Sequence, residues 1–276
     1  MFSKFKLDNL NEAIFSLYYE VGKKIYDDSE ERILCSLNDV TDEDGSINGT
    51  LLQNNWFPVL GKFDVFLSHY HDDKDLAIGL AGFLKTKLGL NVFIDSYLWG
   101  YSNNLLRLID ETYCINSDKT LFDYEKRNYS TSHVHMMLST ALSNMINECE
   151  AVFFLNSSKE SSIEKDIHDQ RTISPWIYHE LVTSDLIKVR PISDYRSQSH
   201  FLEHRAYDVA NESYSSLHIE YDITGILNDF IPLESKDLFQ CISKWQKNEY
   251  HFESSLDYIY LGSGKKYTTF TLRSCY

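Results

Sequence analysis

FDVFLSHYHDDKDLAIGLAGFLKTKLGLNVFID, residues Phe63 to Asp95, decides the fold. Phe63-Asp-Val-Phe-Leu-Ser-His69 is a short β-rich run that turns polar at its end, as a buried parallel strand does. Leu76, Ala77, Leu80, Ala81, Leu84 and Leu88 then recur at helical spacing, and Gly89 supplies the stop. Asn91-Val-Phe-Ile-Asp95 reads as a second strand. Strand, helix and strand in so short a span form a βαβ unit, whose strands are parallel and whose crossover is right-handed. Working outward, the pattern predicts a third strand at Ala151-Val-Phe-Phe-Leu155, a helix from Ser174 to about Ile187, and a fourth strand at Lys188-Val-Arg-Pro-Ile192. The fold class is α/β, a flavodoxin-like doubly wound parallel sheet.

The flanks have a different texture. Leu7, Leu10, Ala13, Ile14, Leu17, Tyr18 and Val21 predict an amphipathic helix from Leu7 to about Ile25, within an N-terminal helical extension of residues 1–60. Asp44-Gly45 and Asn48-Gly49 mark turns. Residues 96–150 are more than one crossover helix needs, so an insertion is expected at about 111–147, carrying a helix from Ser132 to Ile146. The main domain then covers residues 61–195. Residues 196–276 form a C-terminal part packed on it, with a possible strand at Ser216 to Tyr221 and a helix from Ser235 to Gln246.

Composition narrows the classes. The 276 residues are 43% hydrophobic, enough for a real core and far from a disordered composition. A net charge of −15 argues against nucleic acid and anionic membrane as partners, because affinity for both rests mainly on Lys and Arg. The five cysteines are odd in number and lack any C-x-x-C pair, which suggests neither a disulfide framework nor a zinc knuckle but a reducing compartment. The polar start has no apolar h-region, and no segment is apolar enough to span a bilayer, so a cytoplasmic location is expected.

In an open α/β sheet, ligands bind beyond the carboxyl ends of the strands. The polar groups there are Ser68-His69-Tyr70-His71-Asp72-Asp73, Asp95-Ser96-Tyr97-Leu98-Trp99-Gly100, Asn156-Ser157-Ser158, and Ser174-Pro-Trp-Ile-Tyr-His-Glu180 at the head of the next helix. Trp176 and Glu180 stand at i and i+4, so an indole can wall the carboxylate. Taken alone, these residues equally suit a core aromatic, a solvated helix glutamate and strand-end turns.

Three motifs together resemble the TIR (Toll/interleukin-1 receptor) domain. Phe63 to His69 is similar to box 1, with Ser68, His69, Asp73 and Lys74 matching the Ser-His-x-x-x-Asp-Lys of bacterial members. Asn91 to Asp95 followed by Trp99-Gly100 resembles the second strand and BB loop, and Ser174-Pro-Trp176-Ile-Tyr-His-Glu180 the family's Ser-x-Trp-x-x-x-Glu. The likeness covers about residues 61–195; it explains neither the insertion nor the flanks. It implies a bacterial NAD-consuming enzyme, most like the TIR proteins of Thoeris-type antiphage defence. Such an enzyme is an NAD+ glycohydrolase or cyclase that splits the nicotinamide–ribose bond to ADP-ribose or a cyclic ADP-ribose-type signal. NAD+ is then substrate and no cofactor is needed. The resemblance makes Glu180 catalytic, with Ser68, His69, His71, Asp95, Trp99 and Trp176 binding substrate. It also implies self-association through TIR surfaces and a downstream effector that senses the nucleotide product.

Other classes compete. Many TIR domains are non-enzymatic scaffolds acting by self-association. His69-x-His71-x-Asp73 is similar to a strand-end motif of metal-dependent hydrolases, although Lys74 stands where a further histidine is needed. Ser130 to His135 reads either as a capped core helix or as a segment closing the pocket. Gly262-Ser-Gly264-Lys265-Lys266 lacks the spacing of a phosphate loop and reads as a surface turn.

Overall fold

The computed structural model describes residues 1–30, 36–43, 45–57, 62–116, 121–156, 170–196 and 220–264. Its centre is a five-stranded, all-parallel sheet. In chain order the strands are β1 (Ser3–Leu7), β2 (Val65–His69), β3 (Val92–Ile94), β4 (Ala151–Leu155) and β5 (Ile231–Leu233). Across the sheet they run β3-β2-β4-β1-β5. Val65 lies opposite both Val92 and Ala151, and Phe5 opposite both Phe153 and Ile231. β2 and β4 are buried at every residue, because helices cover both faces of a doubly wound sheet.

The helices of eight residues or more are α1 (Tyr19–Glu30), which continues a short helical lead-in from Glu12, α2 (Gly49–Trp56), α3 (Lys74–Leu88), α4 (Ser96–Tyr113), α5 (Tyr124–Glu148), α6 (Pro175–Leu186), α7 (Ser235–Gln246) and α8 (Ser255–Gly262). α3 joins β2 to β3 and ends, as its sequence predicts, at Gly89 with φ 71°. α1 crosses α3 at glycine. A Cβ on Gly82 would sit 2.2 Å from the Tyr18 carbonyl oxygen, so only glycine permits this approach. α4 and α5 form the enlarged crossover. Asp110 ties them together by accepting from Ser130 Oγ at 2.5 Å and Arg127 Nε at 2.8 Å.

Two expectations about the sheet fail, and for one reason. Lys188 to Ile192 is not a strand, and the helix expected from Leu7 begins only at Glu12. The place beside β4 is taken by the chain's first residues. Ser3, Phe5 and Leu7 point inward in strand alternation, while Lys4 and Lys6 on the other face pair with Asp185 and Asp8. Residues 188–192 include Pro191, which offers no ladder donor, and Val189 is 58% exposed. Their tie to β1 is Arg190 N–H donating to the Met1 carbonyl. Both flanks therefore build the sheet: the start of the chain supplies β1 and the C-terminal part supplies β5. The strand expected at Ser216 to Tyr221 lies largely outside the described residues. Tyr221–Asp222 pairs with Arg171–Thr172 in a short antiparallel ladder.

Candidate active site

β2 ends on Ser68 and His69. β3 is followed at once by Asp95, which caps α4: its Oδ1 accepts from Ser96 N–H at 2.6 Å and its Oδ2 from His69 N–H at 3.1 Å. His69 Nδ1 lies directly against Asp95 Oδ1. α6 starts where Ser174 Oγ accepts from Ile177 N–H, with Pro175 in the first turn. Its helical period turns Ile177, Glu180, Leu181 and Ser184 inward. Glu180 thereby reaches the strand ends, where its Oε2 accepts from Ser68 Oγ at 2.5 Å and its carboxyl hydrogen-bonds the carboxyl of Asp95. Four residues from three separated stretches of chain, Ser68, His69, Asp95 and Glu180, form one network at the carboxyl ends of β2 and β3.

The network is dry. Ser68, His69 and Asp95 are 0% exposed and Glu180 is 1% exposed. Burial raises the Glu180 carboxyl well above the usual range, and the neighbouring Asp95 raises it further. Burial likewise raises Asp95, opposed by its hydrogen bonds to Glu180, His69 and Ser96. Burial lowers His69 to about 4 against the pull of Glu180 and Asp73, so its imidazole is neutral at pH 7. Two buried acids that interact directly, with no lysine or arginine between them among the described residues, cannot both ionise cheaply.

Of the other predicted residues, His71 is exposed at the head of a single 3₁₀ turn, His71–Asp73, in which Asp73 is buried, whereas His69 is fully buried. Among the described residues no group of three or more His, Cys, Asp or Glu gathers as a metal site. Trp176 is half-buried one turn before Glu180, and its ring meets His135 of α5 edge-to-face at 5.3 Å. Of the Ser130–His135 segment, Ser130 is bound to Asp110, His133 packs on Tyr129 and His135 on Trp176. The His135–Trp176 contact is not legible in sequence, because it depends on how α5 and α6 are rotated against each other. The side chain of Trp99, together with Ser157, Ser158, Lys265 and Lys266, lies outside the described residues.

The quartet is closed over, whereas an open cavity of about 450 Å³ lies at the opposite, amino end of the sheet. Asp64, Leu90, Glu150, Arg196, Trp245 and Ser255 are among its walls. There Arg196 bridges two buried acids, Glu150 at 2.6 Å and Asp257 at 2.6 Å, and Tyr260 Oη donates to Glu150 at 2.8 Å. No helix is long and apolar enough to cross a membrane among the described residues. In comparisons with family models, curated proteins and solved structures, the chain matches none.

Proposed function

We propose that the chain is an NAD+ nucleosidase that breaks the bond between the ribose C1′ and the nicotinamide nitrogen, with Glu180 as its catalytic residue. The observation that carries the proposal is the convergence of Glu180, Ser68 and Asp95 at the carboxyl ends of adjacent parallel strands, where such folds bind nucleotides. The chemistry suits one carboxylate. Nicotinamide departs as a neutral molecule, taking the electron pair of the C1′–N bond, and leaves positive charge on the sugar. An ionised Glu180 stabilises that charge better than it stabilises the ground state. Water then adds to C1′ and releases a proton, giving ADP-ribose; attack by a group of the same nucleotide gives a cyclic product instead. A role in bacterial antiphage signalling, with an effector reading the product, rests on the TIR resemblance alone. So do assembly into multimers and a cytoplasmic setting.

The test is incubation with NAD+ followed by chromatography of nicotinamide. Glu180→Gln keeps the shape and hydrogen bonding of an uncharged glutamate, and it is expected to lower release by about 100-fold or more. Undiminished release by this variant overturns the assignment.

A second reading has one observation in its favour, the 1% exposure of Glu180. In that reading the quartet is a polar clasp between β2, α4 and α6 in a non-enzymatic module that self-associates. Concentration-dependent assembly without nicotinamide release, under the conditions that produce assembly, supports the scaffold over the enzyme.

A further inference from the structure

A carboxylate that must stabilise a cation has to be ionised, and the surroundings of Glu180 decide whether it is. Asp95 has the better claim to the negative charge of the pair. It accepts backbone N–H groups from His69 and Ser96, and it sits at the N-terminus of the 18-residue helix α4, where the helix dipole favours an anion. His69 Nδ1 stands against its Oδ1. Glu180 is poorly supplied by comparison. Oε2 accepts from Ser68 Oγ, and among the described residues no N–H or O–H group donates to the buried Oε1. As a carboxylate oxygen it is left uncompensated; as a hydroxyl it becomes the donor in the bond that joins the two carboxyls.

We infer that the pair holds a single proton, carried by Glu180 and donated to Asp95, so that Asp95 is a positioning residue that keeps Glu180 uncharged in the closed site. Ionisation of Glu180, and with it any catalysis, then requires α6 to draw away from Asp95 or the proton to leave. The remaining charged or titratable groups do not offset this. His69 of β2 is neutral at pH 7. Asp73 and Lys74, at the start of α3, act on His69 with opposite signs, and Lys74 Nζ lies 4.5 Å from the centre of the Tyr26 ring. His135 of α5 packs on Trp176, and His179 of α6 lies 3.2 Å from the Ser139 carbonyl. The direction of the Glu180 shift agrees with the inference.

The structural half of this inference stands without the proposed activity; the catalytic half rests on it. The deciding experiment compares the melting temperatures of wild type, Glu180→Gln and Asp95→Asn between pH 5 and pH 8. A group whose folded pKa is raised stabilises the fold below its unfolded pKa and loses that contribution as pH rises toward the folded value. Wild type is therefore expected to fall relative to Glu180→Gln by about 3 °C per pH unit, while Glu180→Gln matches or exceeds wild type at pH 7. Asp95→Asn, which removes the anion its donors address, is expected to melt lowest. Parallel curves for wild type and Glu180→Gln overturn the inference, and a well-tolerated Asp95→Asn beside a damaging Glu180→Gln moves the proton to Asp95. Should either variant fail to fold, the infrared spectrum of the wild type decides. A protonated-carboxyl band at pH 6 that fades as pH rises supports the shared proton, and its absence refutes it. In nicotinamide release, Asp95→Asn is expected to move the acid limb of the pH profile down by at least one unit. No release from wild type or from Asp95→Asn, with the melting and infrared results intact, refutes the nucleosidase and leaves the shared proton standing.

Discussion

The two ends of the central sheet each bury a pair of acids and settle them differently. At the amino end, Glu150 and Asp257 have side chains only 6% and 9% exposed, and Arg196 lies between them, donating to both. Nη2 donates to both acids, Nη1 also to Glu150 and Nε also to Asp257. Burial alone lowers the affinity of Arg196 for its proton, but these hydrogen bonds more than reverse this. Such a triad ties the start of β4 to α8 and commits its one cation to both acids. At the carboxyl end, no arginine or lysine among the described residues stands between Asp95 and Glu180, and in our inference the two acids settle their charges by sharing a proton. A polar group that satisfies its neighbours through a removable proton is a group that can change state. Under the proposed function, the contrast sets a structural amino end against a reactive carboxyl end, although the open cavity lies at the former.

Three substitutions test how real that contrast is. The largest effect is expected from Arg196→Ala, which leaves two buried carboxylates without their cation; chemical denaturation is expected to register a loss of about 3–5 kcal/mol. Ser68→Ala removes the donor to Glu180 Oε2 and is expected to cost about 1–2 kcal/mol in the same measurement. Glu180→Gln preserves both hydrogen bonds of an uncharged glutamate and is expected to change stability by less than about 0.5 kcal/mol near pH 5. If Glu180→Gln proves as damaging there as Arg196→Ala, both ends are structural and the contrast disappears.

The sequence carried some of this plainly. The βαβ unit of residues 63–95, β4 and the helices at Pro175–Leu186 and Ser235–Gln246 follow from local periodicity, and the structure has them where expected. β1 escaped because Lys4 and Lys6 break the apolar run, and the partners that permit them there, Asp185 and Asp8, are recognisable only in three dimensions. The opposite error arose at residues 188–192, whose local pattern suits a strand but whose place in the sheet was already filled. For the site, the strand-end rule and the TIR resemblance pick out Ser68, His69, Asp95 and Glu180 one at a time. That Asp95 and Glu180 would meet is not legible, because it depends on the rotation of α6 against β2 and β3. His71 shares the motif of His69, yet a single 3₁₀ turn carries it to the surface.

In the proposed reaction, Glu180 meets the sugar of NAD+ as nicotinamide leaves. Mass spectrometry of NAD+ incubated with wild type and with Glu180→Gln, at several pH values and at concentrations that allow assembly, tests it most directly. Wild type is expected to give nicotinamide and an ADP-ribose-type product, formed faster as pH rises above the acid range, and the variant neither. Equal product from both proteins, or NAD+ left intact by wild type under every condition, contradicts it.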